Sequence, residues 1–338
     1  MDRHRWVVRL GVCATAAFVW LAIGCNDPAT QGNNPPADGA TATTTADERS
    51  APTGGATGRR IRVGGWNIEW LGTPGSRSGP AKNVEQTADD IADYILASGV
   101  NVLTLQEIAS NEGDDAWTNS TLTRAFQIIN VRTGAKWTHK LAPATTGRNQ
   151  QCGIAWDAAV VTPVGEMKPA ASKGPQVDGA TVWSRPPPGL MFSAGSGLTD
   201  FVVISIHMKS NFGGDFANVR GEEARRLARS APLTFSDGDL LIIGDSNCAK
   251  HAEPGPQALI EAGWADLNDG DQPTFWQGSG ALDRAFVPKN QPEFAERRFE
   301  VFRDAYLKQK SLNVREFKQR FSDHFMVITE VLVMRDDD

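Results

Sequence analysis

The chain has 338 residues but only two tyrosines, four cysteines and five histidines. Its 34 Lys and Arg are outnumbered by 40 Asp and Glu, giving a formal net charge of -6. So few cysteines exclude a disulfide-built scaffold and a cysteine-rich metal cluster. The acidic balance excludes capture of nucleic acid by overall charge. A locally basic cleft or a bound divalent cation can still supply that field. The longest mostly apolar run, residues 10–24, has 15 residues, short of the ~20 needed to span a bilayer. No internal repeat is visible.

What is present begins with an export pattern. Arg3, Arg5 and Arg9 precede the apolar run, which ends in Ala22-Ile23-Gly24-Cys25. Small residues before a Cys at the end of such a run resemble a bacterial lipobox. The expectation is a lipoprotein signal peptide over 1–24, lipid on Cys25 and an exported protein held at a membrane through that anchor alone. The alternative is an ordinary secretory signal. Cleavage would remove three Arg and one Asp, so the net charge moves from -6 to -8. Cys152 and Cys248 would then be the one possible intramolecular pair, left open by the sequence. Residues 25–60 are rich in Pro, Gly, Ala, Thr and Asn and have almost no large apolar side chain. Such a stretch cannot offset its ordering entropy and reads as a disordered tether.

Over 61–338 the pattern is globular, with 40% apolar and 22% charged residues in the chain as a whole. Strand-like runs fall at 61–70, 100–105, 153–156, 201–206, 240–243, 281–287 and 325–333. Val84, Ala88, Ile91, Ile95 and Leu96 make one helical apolar face, with Gly99 as its C-cap. Residues 222–233 and 314–321 read as two further helices. The mixture predicts layered α/β packing around a sheet core.

Several strand runs end in a polar residue fit for metal or proton work: Asn67 and Glu69, Gln106-Glu107, His207 with Lys209, Gly244-Asp245-Ser246-Asn247, Asp283-Arg284, and Ser322-Asp323-His324. Taken singly, each has an ordinary reading as a turn former, a surface charge or a core histidine. As an ordered set they carry more weight. Trp66-Asn67-Ile68-Glu69-Trp70, Gln106-Glu107, His207-Met208-Lys209-Ser210, Gly244-Asp245-Ser246-Asn247, Asp283-Arg284 and Ser322-Asp323-His324 resemble the motif series of the endonuclease/exonuclease/phosphatase superfamily, the deoxyribonuclease-I-like group. The resemblance covers about 61–333. It implies a four-layer α/β sandwich, two packed mixed β-sheets flanked by helices, with the site at one edge.

Phosphodiester hydrolysis needs charge on phosphorus neutralised, a water deprotonated and aimed, and the leaving alkoxide stabilised. Oxygen ligands without a Cys/His cluster favour Mg²⁺ or Mn²⁺. The resemblance implies Asn67, Glu107 and Asp323 as ligands. It also implies Asp245 on the attacking water, Asn247 on a phosphate oxygen, His324 on the phosphate oriented by Asp283, and His207 as a second phosphate-facing histidine. Arg148 and Asn149, Arg185, Lys209 and Arg284 are candidate substrate contacts, against the alternative of solvent-facing loop residues.

One departure stands out. Where the deoxyribonuclease type places a Tyr and an acid after Gly147-Arg148-Asn149, this chain has Gln150, Gln151 and Cys152. The tyrosine contact to DNA is missing, and so is an acidic partner for His207. The leading expectation is a nuclease of low sequence preference acting on DNA or RNA. A sphingomyelinase-like or inositol-phosphate phosphoesterase is the second, with Gly189-Leu190-Met191-Phe192 as its one apolar-loop candidate, itself read as a strand. A non-catalytic phosphate-ligand-binding protein is the third. Nothing in the sequence demands a protein partner, so a monomer is expected.

Overall fold

The computed structural model describes residues 58–110, 118–142, 150–278 and 280–336. The signal, Cys25, nearly all of the tether, and Arg148 with Asn149 lie outside them. In chain order the elements are β1 (Arg60–Leu71), α1 (Ala88–Ser98), β2 (Val102–Ile108), α2 (Ser120–Thr133), β3 (Trp137–Leu141), β4 (Gln151–Asp157), β5 (Thr162–Pro169), β6 (Gln176–Val177), β7 (Ala180–Thr181), β8 (Pro188–Ser193), β9 (Asp200–His207), α3 (Ala217–Thr234), β10 (Leu240–Asp245), α4 (Pro254–Glu261), β11 (Trp264–Asp266), β12 (Asp283–Pro288), β13 (Glu300–Phe302), α5 (Asp304–Lys310), α6 (Val314–Arg320) and β14 (Met326–Leu332). β1 thus begins at Arg60, one residue before the expected start.

Two mixed six-stranded sheets form, in the orders β13-β14-β1-β2-β4-β3 and β11-β12-β10-β9-β8-β5. Each has one parallel pair near its centre, β1 with β2 and β9 with β10. Side-chain alternation then builds three apolar layers. Ile61 and Val63 of β1 meet Val203, Leu241, Ile243 and Ala285 between the sheets. Trp66, Leu103 and Leu105 face outward onto α1, α2 and α6. Val202, Ile204, Ile206 and Ile242 face outward onto α3 and α4. The result is the expected four-layer sandwich of two packed mixed sheets flanked by helices.

The helices start and stop where local chemistry says they should. Thr87 caps α1 by accepting the Asp90 N–H, and Gly99 ends it at φ 68°. Asn313 and Glu316 form a reciprocal capping box on α6. The 189–192 segment lies inside β8, paired to β9, so it is no free apolar loop. Among the described residues no helix is long and apolar enough to cross a membrane. Cys152 and Cys248 are both free thiols.

Candidate active site

The inward-facing parity of the strands runs on, past the apolar core, into polar residues at one end of the sandwich. On β1 the series Ile61, Val63, Gly65 continues to Asn67; on β9, Phe201, Val203, Ser205 continues to His207. On β10, Leu241 and Ile243 lead to Asp245, and on β12 Asp283 shares the face of Ala285 and Val287. Register places Asp245 beside both His207 and Asp283. The sheets come close here because two glycines let them. A Cβ on Gly65 would lie 2.9 Å from Ile243 Cγ1 of the facing sheet, and one on Gly244, at φ 138°, would lie 2.8 Å from Gln106 Nε2 on β2 of the facing sheet.

Glu107 reaches the site by a different device. Its φ of 60° breaks the alternation of β2, so that Ile108 returns to the outer core while the carboxylate turns to the strand ends. The neighbouring bulge in β1, with Glu69 and Trp70 also at positive φ, presents the Trp70 N–H to Glu107 Oε2 at 3.2 Å. Non-glycine residues in this region carry strain, which clusters where function needs it.

Asp245 is at the centre. Its Oδ2 accepts from Asn67 Nδ2 at 2.9 Å and its Oδ1 from the Asn247 N–H at 2.8 Å. His207 Nε2 is 3.6 Å from both Asp245 Oδ2 and Glu107 Oε1. His324 Nε2 is 4.0 Å from Asp245 and 3.9 Å from Asp323. Behind His324, Nδ1 is 2.8 Å from Asp283 Oδ2, and the same oxygen accepts from Thr274 Oγ1 at 2.6 Å. Asp283 therefore holds His324 by Nδ1–H and aims Nε2 at the cluster. The loop that carries His324 is fixed by Ser322 Oγ, which donates to Asn67 O, and by Trp66 Nε1, which donates to His324 O.

The charge states follow from the surroundings. Burial alone would lower the His324 pKa, but Asp283 and Asp245 outweigh it and raise it well above the usual histidine value. His207 goes the other way: burial, then the charges of Arg185 and His324, hold it well below that value. It is a neutral imidazole whose Nδ1 has no hydrogen-bond partner among the described residues. Glu107 is pushed up to about 7 by burial and then by Asp323 and Asp245. Asp245 is pushed up to about 6, again first by burial, with Asp283 adding to it.

Glu107, Asp245 and Asp323 thus crowd negative charge into one corner. Glu107, His207 and Asp245 present one donor atom each within 4.8 Å of one another, as do Asp245, Asp283 and His324. A divalent cation fits this corner, because the clustered donors are largely buried and a cation would offset the burial and mutual repulsion that push Glu107 and Asp245 up. Asn67 lies against Asp245, and its Oδ1 accepts the Glu69 N–H while keeping one lone pair. Asp323 is shared with Lys318, whose Nζ stands 3.4 Å from its Oδ2. Glu69 is taken up by Arg77 and Lys318 as a buried ion cluster.

The substrate-contact candidates separate. Arg185 donates to Gln150 and stands close enough to His207 and Lys209 to lower both their pKa values. Lys209 Nζ sits 4.4 Å over the Phe216 ring. Arg284 is corrected: it is fully buried and spends its guanidinium on Asp266 and Asp271 at 2.6 Å and on the carbonyls of Asn268 and Cys248. The reason is strand parity, since Asp283 faces the other sheet and its neighbour must face away. Asn247 uses one amide N–H on Met208 O and keeps the other.

Thr274 and Lys318 brace this corner, and no sequence signal marks them. Thr274 lies outside any apolar run. Glu223 and Arg220 do carry a signal, as two charged residues on the buried face of α3 beside Val219, Ala224 and Leu227.

By sequence the chain matches no protein-family model and no curated protein. By structure it is similar to the mannosyl-6-phosphatase of Bacteroides thetaiotaomicron, at TM-score 0.53 and 14% identity over 80% of this chain and 100% of that one. It is similar to an endonuclease/exonuclease/phosphatase family protein of the same organism, at TM-score 0.52 and 14% identity over 83% and 99%. The human nocturnin catalytic domain with a bound sulfate anion gives TM-score 0.50 and 15% identity over 80% and 92%. The chain therefore has the deoxyribonuclease-I-like fold of the endonuclease/exonuclease/phosphatase family.

Proposed function

We propose that the chain is a divalent-metal-dependent phosphoester hydrolase of that family, and that its substrate is a nucleic-acid phosphodiester. The observation that carries the first part is one corner holding a raised carboxylate, Asp245, beside a cationic His324 braced by Asp283. Asp245, at about 6, is ionised at neutral pH yet basic enough to take a proton from water. His324 offers Nε2–H to the phosphate as charge builds there. Asn247 offers its remaining amide N–H, and neutral His207 a third hydrogen bond through Nε2. Glu107, with Asn67 and Asp323, would hold Mg²⁺ or Mn²⁺, which would supply Lewis acidity. The Lys318 ammonium, 3.4 Å from Asp323 Oδ2, holds that carboxylate in place.

One feature favours nucleic acid over lipid, since the Arg185 guanidinium near His207 suits the phosphate of either. Phe212, 91% exposed, follows His207 by five residues in the same connection to α3. Its neighbours are Asn211, Gly213 and Gly214. One aromatic ring amid polar and glycine residues suits stacking on a single base; insertion into a bilayer takes a wider apolar face. Phe212→Ala is expected to raise KM for a single-stranded oligonucleotide roughly 5- to 100-fold, with kcat little changed. The same change should leave KM for bis(p-nitrophenyl) phosphate, which has no nucleobase, within about twofold. Equal effects on both substrates would count against the stacking role and against nucleic acid. We further propose that the chain acts as a monomer tethered through a lipid on Cys25.

The second reading is a phosphomonoesterase, favoured by the resemblance to a mannosyl-6-phosphatase. Release of inorganic phosphate from sugar phosphates, with oligonucleotides left intact, would select it.

A further inference from the structure

We infer that Glu223, on α3 and outside the catalytic corner, is the positioning residue that sets Arg185 and the His207–Lys209 segment in register as a phosphate grip. The inference rests on the phosphoester reading above, because it gives Arg185 its role.

Glu223 is 2% exposed, yet it has no salt-bridge partner within 4 Å among the described residues. Its carboxylate bridges two separate segments. Oε1 accepts the Trp183 N–H at 3.0 Å, and Oε2 accepts the Lys209 N–H at 2.9 Å. Its own backbone carbonyl accepts Trp183 Nε1–H at 2.9 Å. Trp183 is fully buried and sits at φ 48°, a strained conformation for a large side chain. Two residues later comes Arg185. Two residues before Lys209 comes His207. One carboxylate thus ties together the two chain segments that flank the candidate phosphate position.

The other polar groups of this connection are also taken. Met208 N–H donates to Asp245 O, Met208 O accepts from Asn247 Nδ2, and Lys209 O accepts from Arg220. Of the four backbone groups of Met208 and Lys209, Glu223 holds the one that links this segment to Arg185. Burial pushes the Glu223 carboxyl up to about 7, against the two N–H donors and the charges of Arg185 and Arg220. A buried carboxylate with two backbone donors and no ion pair is a costly way to fill space, where an apolar side chain would serve better. The geometry points to what it fixes.

Glu223→Gln keeps the shape but leaves one acceptor for two donors, since its Nε2 faces an N–H. Inorganic phosphate serves as the binding probe, measured by calorimetry on the full chain, and bis(p-nitrophenyl) phosphate with Mg²⁺ as the turnover probe. Glu223→Gln should weaken phosphate affinity and raise KM about 10-fold, with kcat changed less than threefold. Arg185→Ala should do at least as much, and the double variant no more than Arg185→Ala alone. Glu223→Asp keeps the charge but reaches one amide, and should show a smaller loss in the same direction; it also carries the test should the Gln variant fail to fold. Additive effects of Glu223→Gln and Arg185→Ala, or a fall in kcat with KM unchanged, would overturn the inference. Wild type that neither binds phosphate nor turns over the diester would overturn the phosphoester reading, and this inference with it. Wild type that does both, with Glu223 variants unaffected, would remove the inference alone.

Discussion

Replacing His324 with alanine is expected to lower kcat/KM on the order of 10³-fold while leaving the protein folded. The backbone contacts of His324, to Ser322 Oγ and from Trp66 Nε1, do not use its side chain. What the substitution removes is a cation between Asp245, Asp283 and Asp323. Two consequences separate this from simple damage. The phosphate loses its positively charged donor, so kcat falls and not KM alone. Asp245 also loses the charge that most opposes its upward shift, so its pKa rises further above about 6. The acid limb of the pH–rate profile should therefore move to higher pH in the residual activity. Buried Asp283 keeps Thr274 Oγ1 but loses its imidazole partner, which should cost about 1–3 kcal/mol of stability. Unchanged kcat, or a limb that stays in place, would separate His324 from the chemistry.

The second large effect concerns the metal corner. Mg²⁺ should raise Tm more at pH 8 than at pH 5, and Glu107→Gln should flatten that difference. Glu107 is pushed up to about 7 and Asp245 to about 6, from 4.5 and 3.8, chiefly by burial. A carboxyl with a raised folded-state pKa contributes stability below its unfolded value and loses it as pH rises through the folded value. Without metal, then, these two groups cost stability progressively between about pH 4 and 7. His207, held below its usual value, acts in the opposite sense. The informative quantity is therefore the Tm with Mg²⁺ minus the Tm with chelator, in which His207 largely cancels. Proton competition for Glu107 weakens the metal at pH 5 and not at pH 8. With Mg²⁺ at 100 times its Kd the stabilisation is about 2.7 kcal/mol. That is about 5–10 °C, at ~2–4 °C per kcal/mol for a domain of this size. Glu107→Gln should lose most of it together with turnover. A Mg²⁺ shift that is flat with pH in the wild type would contradict the assignment of Glu107.

How far the sequence carried depended on periodicity. The long central strands were legible: 240–243 and 201–206 fall within β10 and β9, because buried strands write themselves as unbroken apolar runs. β5, with its mostly exposed residues, and the two-residue β6 and β7 carry no such signal. α2 escaped because its apolar stripe, Leu122, Ala125, Phe126 and Ile129, is narrow and lies among polar residues. The polar residues at strand ends were visible as types, and the ordered set suggested the fold. Their facing was less so. Asp283 and Arg284 read as one motif, yet pleating sends them to opposite faces, one to His324 and the other into a buried ion cluster. Glu107 reaches the site only through a left-handed backbone turn that no alternation rule foretells. Glu223 needed the fold, since its two partners lie 40 and 14 residues away.

The central claim is hydrolysis of a nucleic-acid phosphodiester at the Asp245–His324 corner. The most direct measurement incubates the protein with single-stranded DNA, RNA, plasmid DNA, sphingomyelin and a sugar phosphate in Mg²⁺, with His324→Ala and a chelator as controls. The account predicts cleavage of nucleic acid that the chelator abolishes and His324→Ala lowers on the order of 10³-fold. A folded protein that cleaves none of the nucleic acids, with Mg²⁺ and Mn²⁺ both supplied, would contradict it; cleavage of the lipid or the sugar phosphate alone would keep the corner and replace its substrate.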